Sequence, residues 1–366
     1  MLEKQSSKAS PIISAVILAA GKGTRMKSAH PKVLHEVMGR PMLEWVIGAV
    51  QQAGASDITL VLSPEIKLFG AFLQANPQIR VAVQKKQMGT GDAVAAAALA
   101  YSQAKPVSWS SGTLAAGTPS DAEWLLICAG DAPAINPSTI KQFIEDVVSS
   151  KKKLGVLAMN VPDPRGYGRI IKTDKGDLAR IVEERDADSP TKKINLCNSG
   201  IIFGRVDLIF DILQGIAPSN SQSEYYLTDI FAAAAVRGEG TCVFETDAAD
   251  EFAGVNDRHQ LCAIERSMMT SRLKTLMDEG VTVHLPDTVF IEANVSVEMD
   301  TQIFPGVYLK GNTRISRNCI IGPQVVLEDV VLGAGVHIGA HAVVVRTQIS
   351  GGQTILPQTV LVDTTF

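Results

Sequence analysis

Several things are missing from this chain, and each absence removes a class of function. No CxxC pair occurs among Cys128, Cys197, Cys242, Cys262 and Cys319, which are odd in number and widely scattered. That spacing excludes a structural zinc knot and a disulfide framework, and fits a reducing compartment, the cytoplasm. Cys128 and Cys197 lie inside apolar runs and read as buried packing residues. No apolar stretch approaches the length of a membrane span, and the polar, mixed-charge segment Met1–Ser10 has no hydrophobic leader region. An excess of positive charge is missing too: the net charge of −4 over 366 residues argues against nucleic acid or an anionic membrane as a principal partner. Neither the GxGxxG spacing of a dinucleotide site nor the GxxxxGK[ST] phosphate loop is present. No Ser/His/Asp or Cys/His arrangement offers a covalent nucleophile.

What the chain does have is concentrated at its beginning. The apolar run Ile13 to Ala20 reads as a buried strand that empties into Gly21-Lys-Gly-Thr-Arg-Met26, with Pro31-Lys32 close behind. Gly21 and Gly23 leave backbone N–H groups uncovered, and Lys22, Arg25 and Lys32 follow within a few residues. Bare amides with clustered cations suit a polyphosphate, whose oxygens want many donors and few obstructing Cβ atoms. An ordinary strand-to-helix turn has no need of three cations.

With 46% hydrophobic residues, a chain of this length can bury more than one core. Strands are expected at Ile13–Ala19, Ile58–Leu62, Ile79–Val83, Trp124–Cys128, Gly155–Asn160 and Ile201–Phe203, with helices at Pro41–Gln52, Gly91–Tyr101 and Pro137–Ser149. Alternating strands and helices give an α/β fold, a mostly parallel sheet covered on both faces, whose ligands bind beyond the carboxyl ends of the strands. Residues 105–122 are rich in Ser, Gly, Thr and Pro and read as a mobile surface insertion without a catalytic role. A helix spans residues 256–280, closed by Gly280. From Val289 an aliphatic residue recurs every sixth position, at Ile291, Val297, Ile303, Leu309, Ile315 and Ile321, and then, one residue short, at Leu332, Ile338 and Val344. This hexapeptide period predicts a β-helix of about four coils, stable through stacked neighbours.

The loop Leu18-Ala-Ala-Gly-Lys-Gly-Thr-Arg-Met26 with Pro31-Lys-Val-Leu34 resembles the signature of sugar nucleotidyltransferases. The likeness continues in order through Gln84 with Gly89-Thr-Gly91, Ala129-Gly-Asp131, Gly166-Tyr-Gly-Arg169, Ile181-Val-Glu183, Asn198-Ser-Gly200, Glu224-Tyr-Tyr-Leu-Thr-Asp229 and Gly254-Val-Asn256. Over residues 12–350 the chain is similar to the bacterial bifunctional UDP-N-acetylglucosamine pyrophosphorylase/glucosamine-1-phosphate acetyltransferase family. The resemblance implies a flexible N-terminus at 1–11, a Rossmann-like nucleotidyltransferase domain at 12–255, a linker helix at 256–280 and a short left-handed parallel β-helix at 281–366, which would assemble a cytoplasmic homotrimer. It implies Mg²⁺, UTP and N-acetylglucosamine 1-phosphate as reactants, and a product used as a cell-wall precursor.

By the same resemblance Leu18, Ala19, Ala20 and Gly21 form a backbone platform for the nucleotide, and Gln84, Gly89 and Thr90 read the uracil edge. Arg25 and Lys32 neutralise the phosphates, Gly130 lies beside Asp131, and Asp131 with Asn256 holds the metal. Gly168, Glu183 and Asn198 hold the sugar, in a pocket walled by Glu224–Asp229. The residues alone leave other roles open: Asp131 as a cap for the helix at Pro137, Asn256 as the N-cap of the following helix, and Glu183 as a solvated charge in the run Glu183-Glu-Arg-Asp-Ala-Asp188. Two departures stand out. Ala129 replaces the tyrosine common in the family, and the family's further coils, with their histidine base and acetyl-CoA groove, have no counterpart before Phe366. His337 and His341 fall in hexads too early to correspond and read as solvent-facing, so acetyltransferase activity is expected to be absent. The rival functions are a nucleotidyltransferase for another pair such as dTTP with glucose 1-phosphate, an acetyltransferase built on the hexapeptide domain, and a non-catalytic scaffold.

Overall fold

The computed structural model describes residues 11–174 and 176–365 and divides them into two units, one of residues up to 34 and 42–256, the other of residues 35–41 and from 257 on. The segment 1–10, most of the expected flexible terminus, lies outside the described residues.

In the first unit the runs read as strands form β1 (Ile13–Leu18), β2 (Asp57–Leu62), β3 (Arg80–Val83), β5 (Trp124–Ala129), β6 (Leu154–Asn160) and β9 (Leu196–Arg205). Four more join them: β4 (Thr113–Ala116), β7 (Arg169–Lys172), β8 (Leu178–Val182) and β10 (Thr241–Thr246). The ten-stranded sheet runs β8-β7-β9-β5-β1-β2-β3-β4, with β6 pairing β9 and β10 off that path. Its centre, β5-β1-β2-β3, is parallel, as the alternation of strands and helices dictates. Antiparallel pairing enters at both flanks, through β4 against β3 and through β9 against β5 and β6.

Burial on both faces makes β1 apolar from Ala15 to Leu18: Ala15 and Ile17 enter one core cluster and Val16 the other. Helices α1 (Met42–Gln52), α2 (Gly70–Ala75), α3 (Thr90–Ala96), α4 (Pro137–Ser149), α5 (Val206–Leu213) and α6 (Asp229–Val236) cover the sheet. Pro137 opens α4 at the position where a missing N–H costs nothing, and the Asn136 side chain accepts from the Ser138 amide at 3.0 Å. That cap settles one open role, since Asn136 does what Asp131 was a candidate for. The helix expected at Gly91–Tyr101 stops at Ala96, and a separate 3₁₀ turn follows at Ala98–Ala100.

The Ser/Gly-rich segment 105–122 departs from its expected looseness. It contributes β4 to the sheet edge, buries Val107, and places the Trp109 ring on Tyr225 with centroids 3.8 Å apart and planes at 6°. Its small residues allow close approach. A Cβ at Gly112 would fall 2.3 Å from Ala96 Cα, so the glycine composition reflects packing against α3.

The second unit holds the hairpin strands Glu36–Val37 and Arg40–Pro41, the helix α7 (Arg258–Asp278) and a parallel β-helix. Asp257 caps α7, accepting from Gln260 N at 2.9 Å, and Gly280 follows the helix at φ +93°. The hairpin docks within this unit: Met38 N donates to Glu265 Oε1 at 2.9 Å and Ala293 N to Met38 O at 3.0 Å. Three stacks of two- and three-residue strands form the faces of the left-handed β-helix. Successive coils pair at a spacing of eighteen residues, as in Tyr308 with Val326, and of seventeen from there on, as in Val326 with Val343 and Val343 with Val360; the first shortened hexad is the one expected from the sequence, and a second, between Val344 and Ile349, was not. The hexad aliphatics Ile291, Ile303, Leu309, Ile315, Ile321, Leu332, Ile338 and Val344 are buried in its core, while His337 and His341 face solvent.

Candidate active site

Register fixes the centre of the site. Leu18 pairs with Ala129, so the loop after β1 and the loop after β5 leave the sheet side by side. Two of the platform's backbone groups are consumed there: Gly130 N donates to Leu18 O at 3.0 Å and Ala19 N to Val61 O at 2.9 Å. The amides of Ala20, Gly21, Lys22 and Gly23 make no hydrogen bond among the described residues, which leaves a row of donors at the strand end. Gly23 is in the left-handed region at φ +57°, and a Cβ there would meet Lys32 Cβ at 2.7 Å. The glycine is what lets Lys32 approach. A cavity of about 330 Å³ lies against this loop, lined by Leu18, Ala19, Ala20, Gly21, Lys32, Gln84, Gly89, Thr90 and Asp131 among others.

Lys32 and Asp131 form an ion pair, with side chains 14% and 16% exposed, and Lys32 Nζ also donates to Asn256 Oδ1 at 3.1 Å. Residues far apart in sequence thus aim a carboxylate and an amide oxygen at one cation. Val255 N donates to Asp131 O at 2.9 Å, which ties the Gly254-Val-Asn256 segment to the loop after β5. Asn256 is not the cap of α7, since Asp257 fills that role. Two hard oxygens converging on a single positive charge also fit a divalent cation that completes its shell with phosphate oxygens. Arg25 stands apart: it is exposed in the turn Thr24–Met26, forms no ion pair among the described residues, and lines no cavity here. Lys22 lines the same cavity as Lys32, and an adjoining one of about 700 Å³ adds His30, Ser63 and Lys85.

On the base side, Gln84 ends β3 and is 4% exposed. Its Nε2 donates to Gly89 O at 3.0 Å and to Asp92 Oδ2 at 2.8 Å, so the amide hydrogens are consumed and the carbonyl Oε1 remains for a ligand. Gly89 has φ +111°, and a Cβ there would come within 2.5 Å of Tyr225 O. Thr90 Oγ1 accepts from Leu227 N at 3.0 Å.

Gly168, Glu183 and Asn198 come together where β7, β8 and β9 meet. Asn198 N donates to Gly168 O at 2.8 Å, and a Cβ on Gly168 would lie 3.3 Å from Glu183 Oε2. The Asn198-Ser-Gly200 segment is a bulge where β9 shifts register, with Gly200 at φ +84° and its amide donating to Asn198 Oδ1 at 2.9 Å. Glu183 is half-buried rather than a solvated charge, and accepts from Thr228 Oγ1 at 2.8 Å. Burial pushes its carboxyl above the ordinary value. Asp229 is pushed up to about 6, by burial first and then by the Glu183 and Asp186 charges. The segment Glu224–Asp229 spans the two groups. Tyr225 exchanges backbone hydrogen bonds with Met88 and Gly91, Glu224 lines the smaller cavity, and Thr228 reaches Glu183. Gly168, Asn198 and Asn256 line no cavity described here, and Glu183 lines a separate one of about 730 Å³ with Asp186 and Asp229. Asp92 is a positioning residue that the sequence did not single out, whereas Tyr225 and Thr228 fall within the Glu224–Asp229 motif that it did. For Asp92 one signal was present, a lone carboxylate at the head of the run Ala93-Val-Ala-Ala-Ala-Ala98.

Residues 15–167 match the family described as a MobA-like NTP transferase domain, and residues 312–346 match the bacterial transferase hexapeptide. The chain is 37% identical over 345 residues to the bifunctional protein GlmU of Geotalea uraniireducens, covering 94% of this chain and 72% of that protein. It is 37% identical to GlmU of Geotalea daltonii, over 88% of this chain and 66% of the relative, and 35% identical to GlmU of Trichlorobacter lovleyi, over 94% and 72%. This chain belongs to the GlmU family. As a GlmU-family member it is a sugar-1-phosphate nucleotidyltransferase with a hexapeptide-repeat domain, and the ordered motifs of the sequence are the family's. Among the described residues no helix is long and apolar enough to cross a membrane.

Proposed function

We propose that the chain is a UDP-N-acetylglucosamine diphosphorylase, joining UTP and N-acetylglucosamine 1-phosphate to UDP-N-acetylglucosamine and pyrophosphate. A phosphate oxygen of the sugar attacks the α-phosphorus in line, a new P–O bond forms, and the bond to the pyrophosphate leaving group breaks. The observation that carries this reading is the convergence of Lys32, Asp131 and Asn256 beside four bare amides at the end of β1.

Both reactants are anions, and their repulsion and misorientation are the barrier. Alignment of two bound reactants can contribute roughly 7–11 kcal/mol. Fixed donors at developing charge contribute on the order of 2.7–4 kcal/mol each. The Ala20–Gly23 amides and Lys32 serve the α-phosphate, and the cations Lys22 and Lys85 around the adjoining cavity suit the departing pyrophosphate. Asp131 and Asn256 would hold Mg²⁺, whose contribution is neutralisation of phosphate charge. Gln84 Oε1 accepts from the base, while Glu183, Asn198 and the Gly168 backbone take the sugar. Unpaired thiols and the family resemblance support a cytoplasmic enzyme, and we read the β-helix as the assembly element of a homotrimer.

Pyrophosphate release from UTP and N-acetylglucosamine 1-phosphate with Mg²⁺, abolished by EDTA, is the expected result. Release with dTTP and glucose 1-phosphate instead would replace the substrate assignment, and silence with every pair would leave a scaffold. Acetyl transfer from acetyl-CoA to glucosamine 1-phosphate is expected to be undetectable, because His337 and His341 are solvent-facing coil residues.

A further inference from the structure

Asp92 is buried, 2% exposed, and lines neither of the two cavities beside the loop after β1. Its carboxylate accepts from Gln84 Nε2 at 2.8 Å, from Met88 N at 3.4 Å and from Ser110 Oγ at 3.2 Å. A glutamine amide has no inherent sense, since a half-turn about its last bond exchanges the C=O and the NH₂. Here the Nε2 lies between two acceptors, Gly89 O and the Asp92 carboxylate. Turning the amide over would set oxygen against oxygen twice in a buried place, where unpaired polar groups are costly. Oε1 is therefore held toward the cavity as an acceptor.

The clamp is held in turn by the inserted segment. Ser110 belongs to residues 105–122, and its neighbour Trp109 stacks on Tyr225 while its Nε1 donates to Leu213 O at 3.0 Å. Tyr225 N donates to Met88 O and Gly91 N to Tyr225 O, both at 2.7 Å, which locks the loop carrying Gly89 and Thr90. The insertion thus braces the base-reading loop from behind at two points, through Ser110 on Asp92 of α3 and through Trp109 on Tyr225.

We propose that Asp92, seated by Ser110 of the inserted segment, is a positioning residue that makes Gln84 an obligate acceptor and so sets base selection. A uracil ring presents an N3–H that matches a fixed acceptor. A cytosine ring presents a bare N3 lone pair and meets repulsion. This inference rests on the assignment of the cavity beside Gln84 to the nucleotide base.

The test compares UTP with CTP in the full chain. In Asp92→Ala the UTP-over-CTP ratio of kcat/KM should narrow on the order of tenfold, mainly through KM for UTP, because a site built around one hydrogen bond loses discrimination when its geometry is freed. Asp92→Asn should restore most of the ratio, since its Oδ1 can accept from Gln84 while its Nδ2 donates to Ser110 Oγ. Ser110→Ala should narrow the ratio less, and it serves alone if Asp92→Ala does not fold. An unchanged ratio in both alanine variants, even with activity or Tm lowered, would make Asp92 a purely structural residue and overturn the proposal. Should the wild-type chain turn over neither nucleotide, the functional assignment fails, and the ratio of UTP to CTP binding constants by calorimetry in the same variants still decides the role of Asp92.

Discussion

At the scale of single residues, the site is an exercise in spending polar atoms. Lys32, Asp131 and Asn256 satisfy one another, so the centre is stable as folded and can exchange a carboxylate contact for a phosphate one. Asp131→Ala should lower kcat on the order of 10²–10³-fold in the pyrophosphate assay while the thermal midpoint moves by no more than about 5 °C. A variant that melts early but turns over normally would remove Asp131 from the chemistry. The acids on the sugar side predict a pH effect. Asp229 titrates at about 6 in the folded chain against 3.8 ordinarily, so between those values the folded state holds a proton that the unfolded state has released. Stability contributed by this group therefore falls as pH rises through that window. Asp229→Asn should raise Tm above wild type near pH 7 and show no gain near pH 4, and a gain independent of pH would contradict the buried carboxyl.

At the scale of elements, the loops at the strand ends depend on backbone shapes that only glycine gives cheaply. Gly89 combines φ +111° with so little room that a Cβ would fall 2.5 Å from Tyr225 O, so Gly89→Ala should weaken UTP binding at least tenfold by displacing Gln84's partner carbonyl, as fluorescence or calorimetric titration would show. Binding at wild-type strength would show that this loop does not read the base. The parallel centre of the sheet was legible because strands buried on both faces are apolar runs, as Ala15 to Leu18 is. β7 and β8 were not. Arg169-Ile-Ile-Lys172 is short and charged at both ends, and its arginine is buried because Glu184 pairs with it at 2.6 Å and the Tyr167 and Lys192 carbonyls accept from it. The insertion misled for a related reason: Ser, Gly and Thr mark loops by composition, yet Gly112 is there to let backbone reach Ala96. Motif order named the candidate site residues, but the atoms they leave for ligands depend on tertiary partners. Gln84 and Asn198 each spend one end of the amide within the protein, and whether Asn256 or Asp257 caps α7 was a difference of one position.

At the scale of the whole molecule, the two units answer different problems. The first builds a site from strand ends. The second repeats one coil, in which each short face gains a partner only from the coil above or below. Residues 281–366 are under a quarter of the chain but hold six of the twelve large apolar side chains that are exposed among the described residues, namely Leu285, Met299, Val331, Leu356, Val360 and Val362. Apolar side chains left on a regular, flat-faced solenoid favour association of copies through that solenoid. Taken with the proposed homotrimer, the full chain should run in light scattering at three times its 39.0 kDa mass. A chain ending at Gly280 should run as a monomer and still bind UTP, because the nucleotide-side residues Gly21, Lys32, Gln84 and Asp131 all belong to the first unit. If the shortened chain keeps the oligomer, assembly is a property of the nucleotidyltransferase unit and the coils have another use. If it becomes monomeric and loses UTP binding with its melting transition intact, the site depends on the assembly that the coils create.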